Sequence, residues 1–110
     1  MKILLISYGI REFDGRLAQL YNVAEKMGEV NLVCCSKVNN DNIKENENTI
    51  SIRDRKYMGM KLYFSFILQC LKTAHKMKNI DILIVDNLFA SIPALIIRKL
   101  YKPKYIVQDV

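Results

Sequence analysis

Short apolar runs alternate with longer amphipathic segments along this chain. Ile3-Leu4-Leu5-Ile6 is a continuous run of large aliphatic side chains, the pattern of a strand buried on both faces, as in a parallel sheet. Tyr8 to Phe13 read as a polar, glycine-containing connection. Leu17, Leu20, Tyr21, Ala24 and Met27 then recur at helical spacing, with Arg16, Gln19, Asn22, Glu25 and Lys26 on the opposite side. Asp14 stands where an N-cap belongs, and Gly28 stands at the C′ position that ends a helix. Val30 to Cys35 is a second apolar strand.

Ser36 to Asn48 is the longest polar stretch, with Asn39, Asn40, Asn42 and Asn46 among alternating charges. It reads as an exposed loop rather than a domain boundary, because too little chain lies on either side. Thr49 to Arg53 alternates and is β-branched, as a short strand at a sheet edge would be. Tyr57 to Lys78 predicts the longest helix. Its polar residues Lys61, Ser65, Gln69, Lys72 and Lys76 trace one stripe, and the apolar arc beside them is wider than one sheet face needs. Asp81 to Asp86 is a further strand. Leu88 to Leu100 is helical, with Pro93 tolerated only in the first turn, and Lys104 to Val110 is the last strand.

The order β-α-β-β-α-β-α-β predicts an α/β fold in a single domain spanning residues 1–110. The expected form is a doubly wound, Rossmann-like parallel sheet of order 3-2-1-4-5 with three main helices. In such sheets a ligand sits at the carboxyl ends of the strands, where the strand order reverses. The reversal falls between the first and fourth strands. It gathers Ser7, Tyr8 and Gly9 from one strand tip, Asp86 and Asn87 from another, and Gln108 and Asp109 from the last. The first loop adds Arg11, Asp14 and Gly15, and Gly15 would let a ligand approach the helix start, where free N–H groups favour anionic or hydroxyl oxygens. Structural roles stay open beside these: Asp14 as an N-cap, Gly15 as a turn residue, and Asp86 as the cap of the next helix.

Composition narrows the class. The 110 residues are 51% hydrophobic and 25% charged, which excludes a disordered tail or a membrane bundle and allows one modest core. The net charge of +6 is uneven. Residues 1–56 carry nine basic and eight acidic side chains, whereas residues 57–110 carry eight and three. A basic half attracts phosphate-rich partners, or is simply solvated. No basic run with interleaved aromatics occurs, so nucleic acid is not an expected partner.

Cys34, Cys35 and Cys70 sit in apolar stretches, are odd in number and have no framework spacing, which fits strand and helix core in a reducing cytoplasm. The first apolar run stops at Ser7 and charges follow at Arg11, Glu12 and Asp14, unlike a secretory signal. His75 is the only histidine, and there is no C-x-x-C, so no metal site and no Ser–His–Asp arrangement are expected. The spacing Gly9 to Gly15 is not G-x-G-x-x-G, the second strand ends without an acidic ribose anchor, and no G-x-x-x-x-G-K-[ST] occurs. Dinucleotide and P-loop sites are therefore not expected.

The opening MKILLIS, the glycine-bearing loop after it, LAQLYNVAEKMGEVNLVC, and the stretch IDILIVDNLFASIPALIIRKLYKPKYIVQDV together resemble the N-terminal domain of GT-B glycosyltransferases of the retaining family 4 type. The resemblance covers the whole chain. It implies half of a GT-B fold and an acceptor-side cleft lined by Gly9, Asp14, Gly15, Asp86, Asn87, Gln108 and Asp109. It implies no resident cofactor, with a nucleotide-sugar as co-substrate held by a C-terminal domain or partner subunit not encoded here. Gln108 stands where the family often has histidine, and glutamine cannot act as a titrating base.

The resemblance further implies hexosyl transfer in polysaccharide or glycolipid biosynthesis, onto a sugar or lipid-linked acceptor. Alone the chain is expected to be without turnover, as a truncated product, an excised domain or half of a split enzyme. The 57–78 helix, through Lys61, Lys72 and Lys76, is a candidate surface for an anionic membrane or a partner, which would make the protein cytoplasmic and peripheral on the inner face of the membrane. A non-catalytic interaction module docking through that helix and a small nucleotide-binding or flavodoxin-like domain are the other readings.

Overall fold

Strand residues of both parities are buried, and this decides the architecture. In a computed structural model, which describes residues 1–10, 15–36, 47–51, 60–86 and 88–108, the chain runs β1 (Lys2–Ile10), α1 (Gly15–Met27), β2 (Glu29–Ser36), β3 (Glu47–Ser51), α2 (Met60–Met77), β4 (Ile82–Val85), a single 3₁₀ turn (Leu88–Ala90), α3 (Ser91–Tyr101) and β5 (Tyr105–Gln108). The strands form one parallel sheet in the order β3-β2-β1-β4-β5. Three helices cover its faces, so the fold is α/β and Rossmann-like in coarse form.

Side chains alternate across the sheet. Ile3 and Leu5, with Leu32, Cys34, Ile82 and Ile84, pack under Leu17, Tyr21 and Ala24 of α1. Leu4 and Ile6, with Val33, Leu83 and Val85, pack on the other face against Phe66, Cys70, Ala74 and Met77 of α2 and Ala94 and Ile97 of α3. The aliphatic run at 3–6 thus contributes to two cores at once. Cys34 and Cys70 are buried in these cores.

Several element boundaries differ from the sequence expectation, each for a physical reason. β1 continues through Ser7, Tyr8 and Gly9, because its backbone pairs again with β2 at Ile10 and Cys35 after an irregularity. β3 begins at Glu47, two residues early, since backbone pairing of Leu32 with Glu47 holds a polar residue in the ladder. α2 ends at Met77, and Lys78 adopts a left-handed φ of 64°. α3 starts at Ser91 after the 3₁₀ turn, which puts buried Pro93 in its first turn, where no intrahelical N–H donor is required. Gly28 ends α1 without a left-handed φ. It is small because a Cβ there would lie 2.5 Å from the Met1 carbonyl oxygen. The expected start of α2 at Tyr57 and the expected N-cap Asp14 lie outside the described residues.

β5 closes one edge of the sheet and is exposed along its length. Tyr105 and Val107, on one face, are 67% and 48% exposed, and Ile106 on the other is also exposed. A parallel strand normally has both faces covered.

Candidate functional site

β1 and β4 pair in register to the carboxyl end of β4. Their pairing runs from Ile3–Ile82 to Ile6–Val85, and the Asp86 N–H donates to the Ile6 carbonyl at 3.0 Å beyond it. On the α1 face the next side chains, Ser7 and Asp86, meet: the Ser7 hydroxyl donates to Asp86 Oδ2 at 2.8 Å. Arg16, the second residue of α1, brings Nε to 4.0 Å from Asp86 Oδ1. Asp86 is 4% and Ser7 0% exposed, while the Arg16 side chain is 52% exposed. A buried carboxylate therefore anchors a half-exposed guanidinium at the start of a helix. The Ser7–Asp86 pair fixes geometry, and the guanidinium offers N–H donors to a hydroxyl or anionic oxygen.

Gly15 opens α1 directly beside this cluster. Its φ is not left-handed, and a Cβ built on it would meet nothing within 4 Å. Among the described residues, neither backbone strain nor crowding calls for glycine here, and the turn that would lead into it lies outside them.

The other face of the same edge is aromatic. Tyr8 leaves β1 on that side and stands 4.9 Å, centroid to centroid, from both Tyr63 and Phe66 of α2, and 6.0 Å from Phe89. The Tyr63 hydroxyl donates to the Phe89 carbonyl, tying α2 to the 3₁₀ turn. Burial, and then the nearby Cys70 thiol, push the Tyr63 hydroxyl above its ordinary pKa.

Of the residues expected in the crevice, Asp86 is reached by Arg16, the chain neighbour of Gly15, and Gly9 lies in β1 two residues beyond Ser7. Gln108 does not join them. It pairs in register with Val85, so its side chain lies on the α3 face, where its amide donates to Ser91 Oγ at 3.0 Å. Asp14, Asn87 and Asp109 lie outside the described residues. Lys72 and Lys76 are exposed on α2, and Lys61 lies in its first turn. His75, also exposed, has Nδ1 3.3 Å from the Tyr101 hydroxyl.

Sequence reasoning placed Arg16 merely on the polar side of its helix and did not assemble the aromatic group. A signal for Arg16 was present: a cation in the first turn of a helix opposes the dipole and implies a counter-charge nearby. No such signal marks the Tyr8 group, because its members come from three elements.

Among the described residues, no group of three histidine, cysteine or acidic side chains could hold a metal ion, and no helix is long and apolar enough to cross a membrane. No protein-family profile matches the chain, and no curated protein matches it.

Proposed function

We propose that the chain is the acceptor-side domain of a retaining GT-B glycosyltransferase, whose second α/β domain or partner subunit supplies the nucleotide-sugar. The observation that carries the reading is the Ser7–Asp86–Arg16 cluster beside the start of α1, at the point where the strand order reverses. Arg16 and the first amides of α1 would hold an acceptor hydroxyl, and Asp86 would keep Arg16 in place. Transfer of a hexosyl group from the nucleotide-sugar, in polysaccharide or glycolipid biosynthesis, would need the opposite wall to place donor against acceptor and exclude water.

The test is binding rather than turnover. Simple glycosides and nucleotide-sugars are titrated into the chain and into Arg16→Ala, with and without candidate partner domains, by NMR. The reading expects glycoside shifts at Gly15–Leu17 that Arg16→Ala abolishes, and nucleotide-sugar binding only with the partner. Absence of both sinks it.

A second reading, an interaction module docking through α2, rests on a different observation. Phe64 and Leu68 are 57% and 59% exposed on the outer side of α2, in line with Lys72. An outward apolar pair followed by lysines suits an anionic membrane surface or a partner helix. That would put the protein in the cytoplasm, peripheral to the inner face of the membrane. Flotation with anionic liposomes, lost in Lys72→Glu and Lys76→Glu, is the expected result; no flotation of the wild type ends it.

A further inference from the structure

We propose a second binding site, for a phosphate group, at the amino ends of β1, β4 and β5, the opposite strand ends from the crevice. A cavity of about 580 Å³ opens there, lined by Lys2, Asp81, Tyr101, Lys102 and Lys104, with Met1, Asn79 and Ile80 completing its wall. That volume lies within the range of small-molecule sites. Ile80 is buried, Tyr101 is half-buried and the three lysines are exposed.

Charge decides what the cavity takes. The lining holds three lysine ammonium groups and one carboxylate, beside Met1, whose amino group also acts on Asp81. Two helix C-termini, at Met77 and Tyr101, also end near it, and each carries about half a negative charge. Those ends are largely answered. The Lys2 ammonium donates to the Met77 carbonyl at 3.4 Å, and the Lys78 and Lys102 amides donate to the Ala74 and Arg98 carbonyls. Asp81 is also committed: it accepts the Lys2 backbone N–H at 2.8 Å and faces the Lys104 ammonium at 3.7 Å. The balance is cationic, so the ligand is an anion. A phosphate ester carries the charge and acceptor oxygens to meet Lys102 and to share the Lys2 and Lys104 ammonium groups with the Met77 carbonyl and Asp81.

Lys102 supplies the second observation. It sits at the C-cap of α3 with φ 45° and ψ 64°, a left-handed conformation that glycine or asparagine adopts more readily. A lysine kept in that conformation on a cavity wall places an ammonium where glycine would give a more stable helix end. Lys78 ends α2 in the same conformation but does not line the cavity, which makes it the internal control.

The phosphate could be carried by a soluble ester or by the headgroup of a lipid, and two arms separate them. In the first, pyrophosphate is titrated into the ¹⁵N-labelled chain. In the second, the chain is sedimented with phosphatidylcholine vesicles with and without phosphatidic acid. Saturable shifts at Ile80–Asp81 and Tyr101–Lys104 mark a soluble ester. Sedimentation with phosphatidic acid but no response to pyrophosphate marks a headgroup.

In either arm Lys102→Gly is expected to weaken binding by about tenfold while raising the melting temperature by a few degrees, because it relieves the left-handed lysine. Lys78→Gly should raise the melting temperature alike and leave binding unchanged, and Lys102→Arg should keep binding. Equal losses in Lys102→Gly and Lys78→Gly, uniform shifts at all lysines, or no response in either arm would each overturn the site.

Discussion

Asp86 is a carboxylate taken almost wholly out of water, and its cost of burial has to be met by specific partners. Ser7 is one, equally buried and donating at 2.8 Å. Ser7→Ala removes the donor and leaves the acceptor in place, so it should destabilise the fold by about 1–3 kcal/mol, read from urea midpoints. Ser7→Thr, which keeps the hydroxyl, should lose less. Asp81 is the contrasting carboxylate. The Lys2 backbone N–H, chiefly, and Lys104 hold its pKa below the ordinary 3.8, against a partial desolvation that raises it. A carboxyl more acidic in the fold than in the unfolded chain stabilises the fold fully above its ordinary pKa, and that stabilisation is lost as the pH falls through the lower folded value. The stability gap between wild type and Asp81→Asn should therefore be flat above about pH 5 and close progressively below it. A gap that instead widened on acidification would contradict the hydrogen-bonding assigned to Asp81.

At the scale of elements, the ends of α1 show what pattern reveals and what it leaves out. The apolar spacing of Leu17, Tyr21 and Ala24 was readable, because helix periodicity and burial are the same fact seen twice. Gly28 was readable as a stop, but for a different reason from the one that operates. Its φ is ordinary, and its smallness serves Met1, whose carbonyl accepts the Glu29 N–H at 2.8 Å as the first link of the β1–β2 ladder. Gly28→Ala would push on that carbonyl and should cost about 1–3 kcal/mol, with the amide of Glu29 losing hydrogen-exchange protection. A glycine required by a left-handed turn would tolerate asparagine; here Gly28→Asn should be at least as damaging as alanine. Contacts of this kind join residues far apart in sequence, and no local pattern carries them. Gln108 was misplaced for a related reason. Its position at a strand tip was legible, but which face its side chain takes depends on register with β4, and Val85 sets that register.

Across the whole molecule, the alternation of buried strands and amphipathic helices foretold the α/β layering, since both sheet faces must be covered to bury runs such as Ile3–Ile6. What composition could not foretell is how unevenly the cover is spread. α1 shields β1 and β2 on one face, α2 and α3 shield the other, and β5 is left with exposed side chains on both. Its four residues, Tyr-Ile-Val-Gln, carry no charge, and such an apolar edge is a template for strand pairing. The isolated chain is therefore expected to associate with increasing concentration, read as a rising weight-average mass in sedimentation equilibrium. Val107→Lys, at a site 48% exposed, should suppress that association without lowering the melting temperature by more than a degree or so. Lys72→Glu on α2, far from the edge in the fold, should leave the association unchanged, and a Val107→Lys chain that associates as the wild type does would place the contact elsewhere on the surface.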